Sequence, residues 1–147
     1  MYKNILIPTD GSRLSHKAIV NGVKLAKTLG AKVTGLFAAP PATPVVYEAF
    51  VPVGYMTPRQ HATLIEKTAS GYLSEIEKAA RSAGVACECV QVTNDFPADA
   101  ILAVAKKHKC DLIFMASHGR RGLSSVLLGS ETQKVLTYSK IPVLVSR

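Results

Sequence analysis

Long apolar runs are missing from this chain. No stretch of about 18 consecutive apolar residues occurs, so no membrane-spanning helix is expected. The opening Met1-Tyr-Lys-Asn-Ile-Leu-Ile-Pro8 lacks the apolar core of a secretory signal, and a cytoplasmic location is the expectation. Cysteine is scarce. Cys87, Cys89 and Cys110 are odd in number and follow no framework spacing, which argues against a secreted disulfide scaffold. There is no CxxC or HxxxH pair, so no zinc site is expected and the cysteines read as small core residues. Cys87 and Cys89 stand two apart in a predicted strand, which puts both on one face. Two nucleotide signatures are absent as well. Neither G-x-x-x-x-G-K-[ST] nor G-x-G-x-x-G occurs, which disfavours a Walker A phosphate loop and the nicotinamide and flavin dinucleotides.

Acidic residues are also few. Eighteen Lys and Arg against ten Asp and Glu leave a formal net charge of +8. Such a charge raises nucleic acid as a partner. The lysines are scattered, however, with Lys17, Lys24 and Lys27 in one predicted helix and Lys106, Lys107 and Lys109 at the end of another. Lysines late in a helix complement its dipole. No aromatic residues interleave with them to form a stacking platform. Solvated helix faces are the better reading, and nucleic acid is the least favoured partner.

What is present is an ordinary globular composition, 48% hydrophobic and 19% charged over 147 residues, which fits one domain spanning 1–147. Lys3 to Pro8 reads as a strand, closed by the turn cluster Pro-Thr-Asp-Gly-Ser. Ser12 to Leu29 carries a helical stripe of Ala18, Ile19, Gly22, Val23, Leu25, Ala26 and Leu29, with Gly30 as its stop. Lys32 to Ala39 is a second strand. Residues 40–57, rich in proline and aromatics, form a long irregular connection suited to a lid or an interface. Thr57-Pro58 starts a helix whose stripe runs Ala62, Ile65, Ala69, Tyr72, Leu73, Ile76, Ala80 and Ala83, ended by Gly84. Val85 to Val92 is a strand, Pro97 opens a helix with Ile101, Leu102 and Ala105, and Asp111 to Ala116 is a fourth strand. Ser130 to Tyr138 is a helix and Pro142 to Ser146 a fifth strand.

Strands alternating with helices predict an α/β fold, a doubly wound parallel sheet of five strands with helices on both faces. Ligands of such sheets bind beyond the C-terminal strand ends, where strand order reverses. The tips at Pro8-Thr9-Asp10, at Ala38-Ala39 and at Ala116-Ser117 converge there if the first and fourth strands are neighbours. The fourth strand empties into Ser117-His-Gly-Arg-Arg-Gly122, and Gly129-Ser130 then opens a helix. A helix start offers backbone N–H groups to an anion, and glycine lets the backbone come close. Arg120 and Arg121 suit bidentate contact with phosphate or plain exposure. Ser130-Glu-Thr-Gln133 also fits a capping box with Ser130 as the cap. Asp10 suits either an Asx-turn or a carboxylate that receives a ribose hydroxyl or adenine amino group. His118 has no partner placed by the sequence, so no catalytic residue is assigned.

Three segments together resemble the universal stress protein family over essentially the whole chain. They are Ile5-Leu-Ile-Pro-Thr-Asp-Gly-Ser12, Asp111-Leu-Ile-Phe-Met-Ala-Ser-His-Gly-Arg-Arg-Gly122, and Leu127-Leu-Gly-Ser130 leading to Ile141-Pro-Val-Leu-Val145. ATP-binding members carry Gly, two residues, Gly, nine residues, then Gly with Ser or Thr. Gly119 and Gly129-Ser130 match at that spacing, and Ala116 stands where the first Gly would be. The resemblance implies a Rossmann-like, adenine nucleotide alpha hydrolase-like fold. It implies that Asp10 and the backbone near Ala38 hold adenosine, that Ser117 and Gly119 lie near the ribose and first phosphate, and that Gly129 and Ser130 hold the outer phosphates. The ligand would be ATP, or ADP or AMP, with Mg2+ bridging the phosphates and no protein-held metal. It also implies a homodimer through strand 142–146, which would cover an otherwise exposed Val143-Leu144-Val145 edge.

The function expected is therefore a nucleotide-binding regulatory switch of stress response. At most it would hydrolyse ATP slowly or phosphorylate itself on Ser124, Ser125 or Ser130. The rival reading is a dimeric partner-binding protein that ignores nucleotide, favoured by Ala116.

Overall fold

A computed structural model describes residues 1–41, 56–120 and 127–147. The elements run β1 (Asn4–Pro8), α1 (Arg13–Leu29), β2 (Lys32–Ala39), α2 (Pro58–Ala83), β3 (Cys87–Thr93), α3 (Pro97–Lys107), β4 (Leu112–Ala116), α4 (Ser130–Tyr138) and β5 (Val143–Ser146). All strand pairs are parallel, in the order β3-β2-β1-β4-β5. The expected doubly wound sheet is therefore the fold observed. Most of the predicted connection at 40–57 lies outside the described residues, as do Arg121, Gly122, Ser124 and Ser125.

The period-2 pattern of β1 sorts the core into two layers. Ile5 and Ile7 face Ala18, Ile19, Val23 and Ala26 of α1 and Ile76 of α2. Leu6 faces the other way, onto Ile101, Val104 and Ala105 of α3 and Val135 of α4. Strands buried on both faces need continuous apolar sequence, which Ile5-Leu-Ile7 and Leu112-Ile-Phe-Met115 supply.

Local signals fix the helix ends. The Ser12 hydroxyl accepts the Ser15 N–H at 3.2 Å and caps α1. Thr57 and Gln60 form a reciprocal capping box at the start of α2. Gly84 ends α2 in the left-handed region, and the Val85 N–H then returns to the Ala80 carbonyl at 2.9 Å. This closing turn takes up Val85, so β3 begins at Cys87 rather than at Val85. In α2 the stripe holds from Ile65 onward, whereas Ala62 in the second turn is exposed.

The cysteines depart from expectation in part. Cys110 is buried, but Cys87 and Cys89 are only half-buried, because β3 is an edge strand. Both do lie on one face, against the α1/α2 layer.

Candidate functional site

Because β1 and β4 pair directly, the switch point falls between them. Beyond their tips lies a cleft of about 430 Å³. Its polar side is built from Thr9, Asp10, His118, Gly119, Arg120 and the start of α4 at Gly129-Ser130. Its apolar side is built from Leu36, Ala38, Pro40, Pro97, Ile101 and Met115. Pro8 and Ala116 complete the floor at the two strand tips.

Of the residues singled out from sequence, nine line this cleft: Pro8, Thr9, Asp10, Ala38, Ala116, Gly119, Arg120, Gly129 and Ser130. Ser117 does not. It is buried beneath the cleft, with its N–H on Ser146, its carbonyl receiving the Gly129 N–H, and its hydroxyl 3.0 Å from His118 Nδ1. Arg121 lies outside the described residues.

Asp10 is the hub of the polar side. One carboxylate oxygen accepts the Ser12 N–H at 2.9 Å, closing an Asx-turn, and the other accepts the Arg120 N–H at 2.7 Å. Burial works against the charge, but hydrogen bonds from Ser12, Arg120 and Ser15 outweigh it and hold the carboxyl below the usual carboxylate range. A lowered native pKa stabilises the fold above the unfolded value and loses that effect as pH falls through the native one. The wild-type melting temperature should therefore drop further than that of Asp10→Asn between about pH 6 and about pH 3. Equal acid slopes for the two proteins would show that Asp10 does not carry this linkage.

Arg120 ties the loop to α2. Its Nε donates to the Asp10 carbonyl at 2.8 Å, its guanidinium also bonds the Tyr72 hydroxyl, and its Cζ lies 5.2 Å from the Tyr72 ring centroid. The arginine expected to meet phosphate thus holds the loop closed over Asp10. Gly119 allows this approach, since a Cβ there would stand 2.7 Å from Asp10 Oδ2.

The start of α4 corrects the capping box. Gly129, not Ser130, is the N-cap, with φ −60° and ψ 150° and no side-chain cap. Gln133 turns instead to the Leu128 carbonyl at 2.8 Å, and Thr132 donates to the Ala116 carbonyl at 3.1 Å. The first bond inside the helix is Gln133 N–H to Gly129 O at 3.0 Å. The N–H groups of Ser130, Glu131 and Thr132 precede it and face no capping side chain. Ala116 sits in regular strand, and Lys109 is the only non-glycine with positive φ among the described residues. Glycine is therefore not demanded at 116 by backbone conformation.

Sequence reasoning missed the wall formed by Asn94, Asp95 and Pro97, and also Glu131. Asn94-Asp95 follows the tip of β3 at the same end of the sheet as Asp10, so the strand-tip rule could have found it. Glu131 accepts the Ala98 N–H at 2.9 Å and so caps α3 from α4. His118 Nε2 is buried and has no hydrogen-bond partner among the described residues.

The whole chain, residues 1–147, matches the universal stress protein family. The chain belongs to that family. Universal stress protein MJ0531 of Methanocaldococcus jannaschii is 31% identical over 148 residues, covering 99% of this chain and 82% of that protein. The solved structure of protein MJ0577 from the same organism is 28% identical, covers 99% of this chain and 95% of its own, and superposes with a TM-score of 0.78. A universal stress protein solved in complex with cAMP is 25% identical, covers 99% of this chain and 97% of its own, and gives a TM-score of 0.74. No described helix is long and apolar enough to cross a membrane.

Proposed function

We propose that this chain binds an adenine nucleotide at the β1/β4 switch point and acts as a stress-response regulatory switch. The carrying observation is the cleft itself, which sets an apolar slot of Leu36, Ala38, Pro97, Ile101 and Met115 beside the uncapped start of α4. A flat base buries its faces in the slot, and phosphate oxygens meet the Ser130–Thr132 N–H groups, which an anion satisfies and a helix dipole favours. The relative that binds cAMP supports an adenine-containing ligand. Mg2+ would enter with the nucleotide, bridging its phosphates.

The same reading makes the protein a switch rather than a fast enzyme. Phosphoryl transfer needs an aligned nucleophile and base, and among the described residues His118 Nδ1 meets only the Ser117 hydroxyl. On this reading the activity is at most slow hydrolysis, or phosphorylation of Ser124, Ser125 or Ser130. β5 lies at the sheet edge with Leu144 exposed, which supports a homodimer through that strand.

Calorimetric titration with ATP, ADP and AMP, with and without magnesium, tests the proposal. Micromolar binding of at least one adenine nucleotide is expected, and a ligand at 100 times its Kd should add about 2.7 kcal/mol of stability. No heat and no thermal shift with any of them would favour a nucleotide-independent partner-binding protein.

A further inference from the structure

The Cys87–Cys89 pair stands apart from the nucleotide cleft and has no role in it. The two Sγ atoms lie 4.0 Å apart on one face of the edge strand β3. Both are half-buried. Gly35 opposite Cys89 in β2 makes room for the pair, because a Cβ there would stand 2.9 Å from the Cys89 Sγ. Ile76 of α2 and the Leu73 carbonyl, 3.7 Å from Cys89 Sγ, close the other side. An edge strand that needed only packing at this spot would be served by valine, as Val90 and Val92 serve its other face.

The geometry points to a two-thiol binding site for a soft monovalent metal ion, with copper(I) as its guest. Two thiolate–metal bonds of about 2.3 Å placed end to end span about 4.6 Å, which a small rotation about χ1 supplies. A disulfide needs the sulfurs at about 2.05 Å, so the same pair would have to close by nearly half its separation within one extended strand. Thiolates suit copper(I) as well as zinc, but zinc takes four ligands, whereas two-coordination needs no third. None is at hand: the described residues hold no cluster of three metal-binding side chains, and Cys110 belongs to the opposite core layer. Binding breaks two S–H bonds, forms two S–Cu bonds and releases two protons to solvent, with no change of oxidation state.

The test is an anaerobic titration of the reduced full-length protein with copper(I) in competition with bicinchoninate. One copper per chain should be withheld from the chelator. Cys87→Ser and Cys89→Ser should each weaken retention by more than the roughly 100-fold that loss of an outer-shell partner costs, while Cys110→Ser should leave it unchanged. Wild type no better than the Cys87→Ser/Cys89→Ser double variant would overturn the site, as would loss of binding in Cys110→Ser. A second readout needs no variant. Phenylarsine oxide should add once to the folded, reduced chain with loss of one water, the mark of two bridged thiols, and failure to form that adduct would equally overturn it.

Discussion

Gly129→Val is expected to lower adenine-nucleotide affinity by about 100-fold or more and to leave the folded sheet intact. The reason is where the new atoms must go. A Cβ at 129 would stand 3.2 Å from the His118 Cα and 3.3 Å from the Ser117 carbonyl oxygen, with the Gly119 nitrogen next at 3.8 Å. All three neighbours are backbone, so none can rotate aside. The Gly129 N–H is also bonded to that same Ser117 carbonyl at 2.8 Å, which holds the start of α4 against the tip of β4. Larger groups at 129 therefore push the first turn of α4 outward, and the N–H groups of Ser130, Glu131 and Thr132 move with it. Hydrogen bonds from such groups to a charged oxygen are worth about 1.5–3 kcal/mol each. Misaligning two of them removes about 3 kcal/mol or more, which is the stated loss in affinity.

The fold survives because the strain is one of contact. Valine adopts φ −60° and ψ 150° readily, and Val135 still anchors α4 in the core. Overpacking of this kind costs about 1–3 kcal/mol, a melting shift of several degrees. Calorimetry on Gly129→Ala should fall between the parent and the valine variant. If the valine variant binds as tightly as the parent, the phosphate end of the ligand is not at α4, even if a nucleotide binds elsewhere in the cleft.

The fold was legible because its layers are written in the strands. Ile5-Leu-Ile7 and Leu112-Ile-Phe-Met115 are short apolar runs bounded by turn signals and read as strands covered on both faces, and the capping signals at Ser12, Thr57, Gly30 and Gly84 bound the helices between them. The candidate cleft was legible at the strand tips, at Thr9-Asp10 and at Ala116 and Gly119. It was illegible where the decisive bond crosses the fold. Glu131 reads as an ordinary helix residue, yet its carboxylate caps α3. Ser130-Glu-Thr-Gln133 reads as a capping box, yet Thr132 and Gln133 are claimed by the carbonyls of Ala116 and Leu128, and the cap moves to Gly129. Arg120 reads as a phosphate ligand, yet Asp10 and Tyr72, distant in sequence, hold it. Local pattern assigns a residue's type of bond, and tertiary contact decides its partner.

Tyr72 is the partner that the sequence hid most completely, and Gly11→Val exposes what it does. Gly11 has φ +75°, and a Cβ there would fall 2.2 Å from Tyr72 Cε1 and Cζ, inside the ring's own contact surface. Two penalties combine. The left-handed backbone costs a non-glycine residue about 1–2 kcal/mol, toward the upper end for a β-branched one. The ring must also leave its place. It then gives up its edge-on contact with Phe37, whose centroid lies 5.3 Å away at 83°, worth about 0.5–1.5 kcal/mol. It gives up Arg120 as well, worth about 0.5–1 kcal/mol at an exposed site. The expected loss is about 2–4 kcal/mol, a melting temperature lower by roughly 5–15 °C. Gly30→Val separates the two penalties, because Gly30 has φ +65° and nothing within 4 Å of the added Cβ. That variant carries the backbone penalty alone and should lose about half as much. Gly11→Val/Tyr72→Ala should be less destabilised than the sum of its single changes, since the ring that clashes is gone. Equal losses in Gly11→Val and Gly30→Val would mean that Tyr72 does not rest on Gly11, and the clamp from α2 through Arg120 to Asp10 would lose its footing.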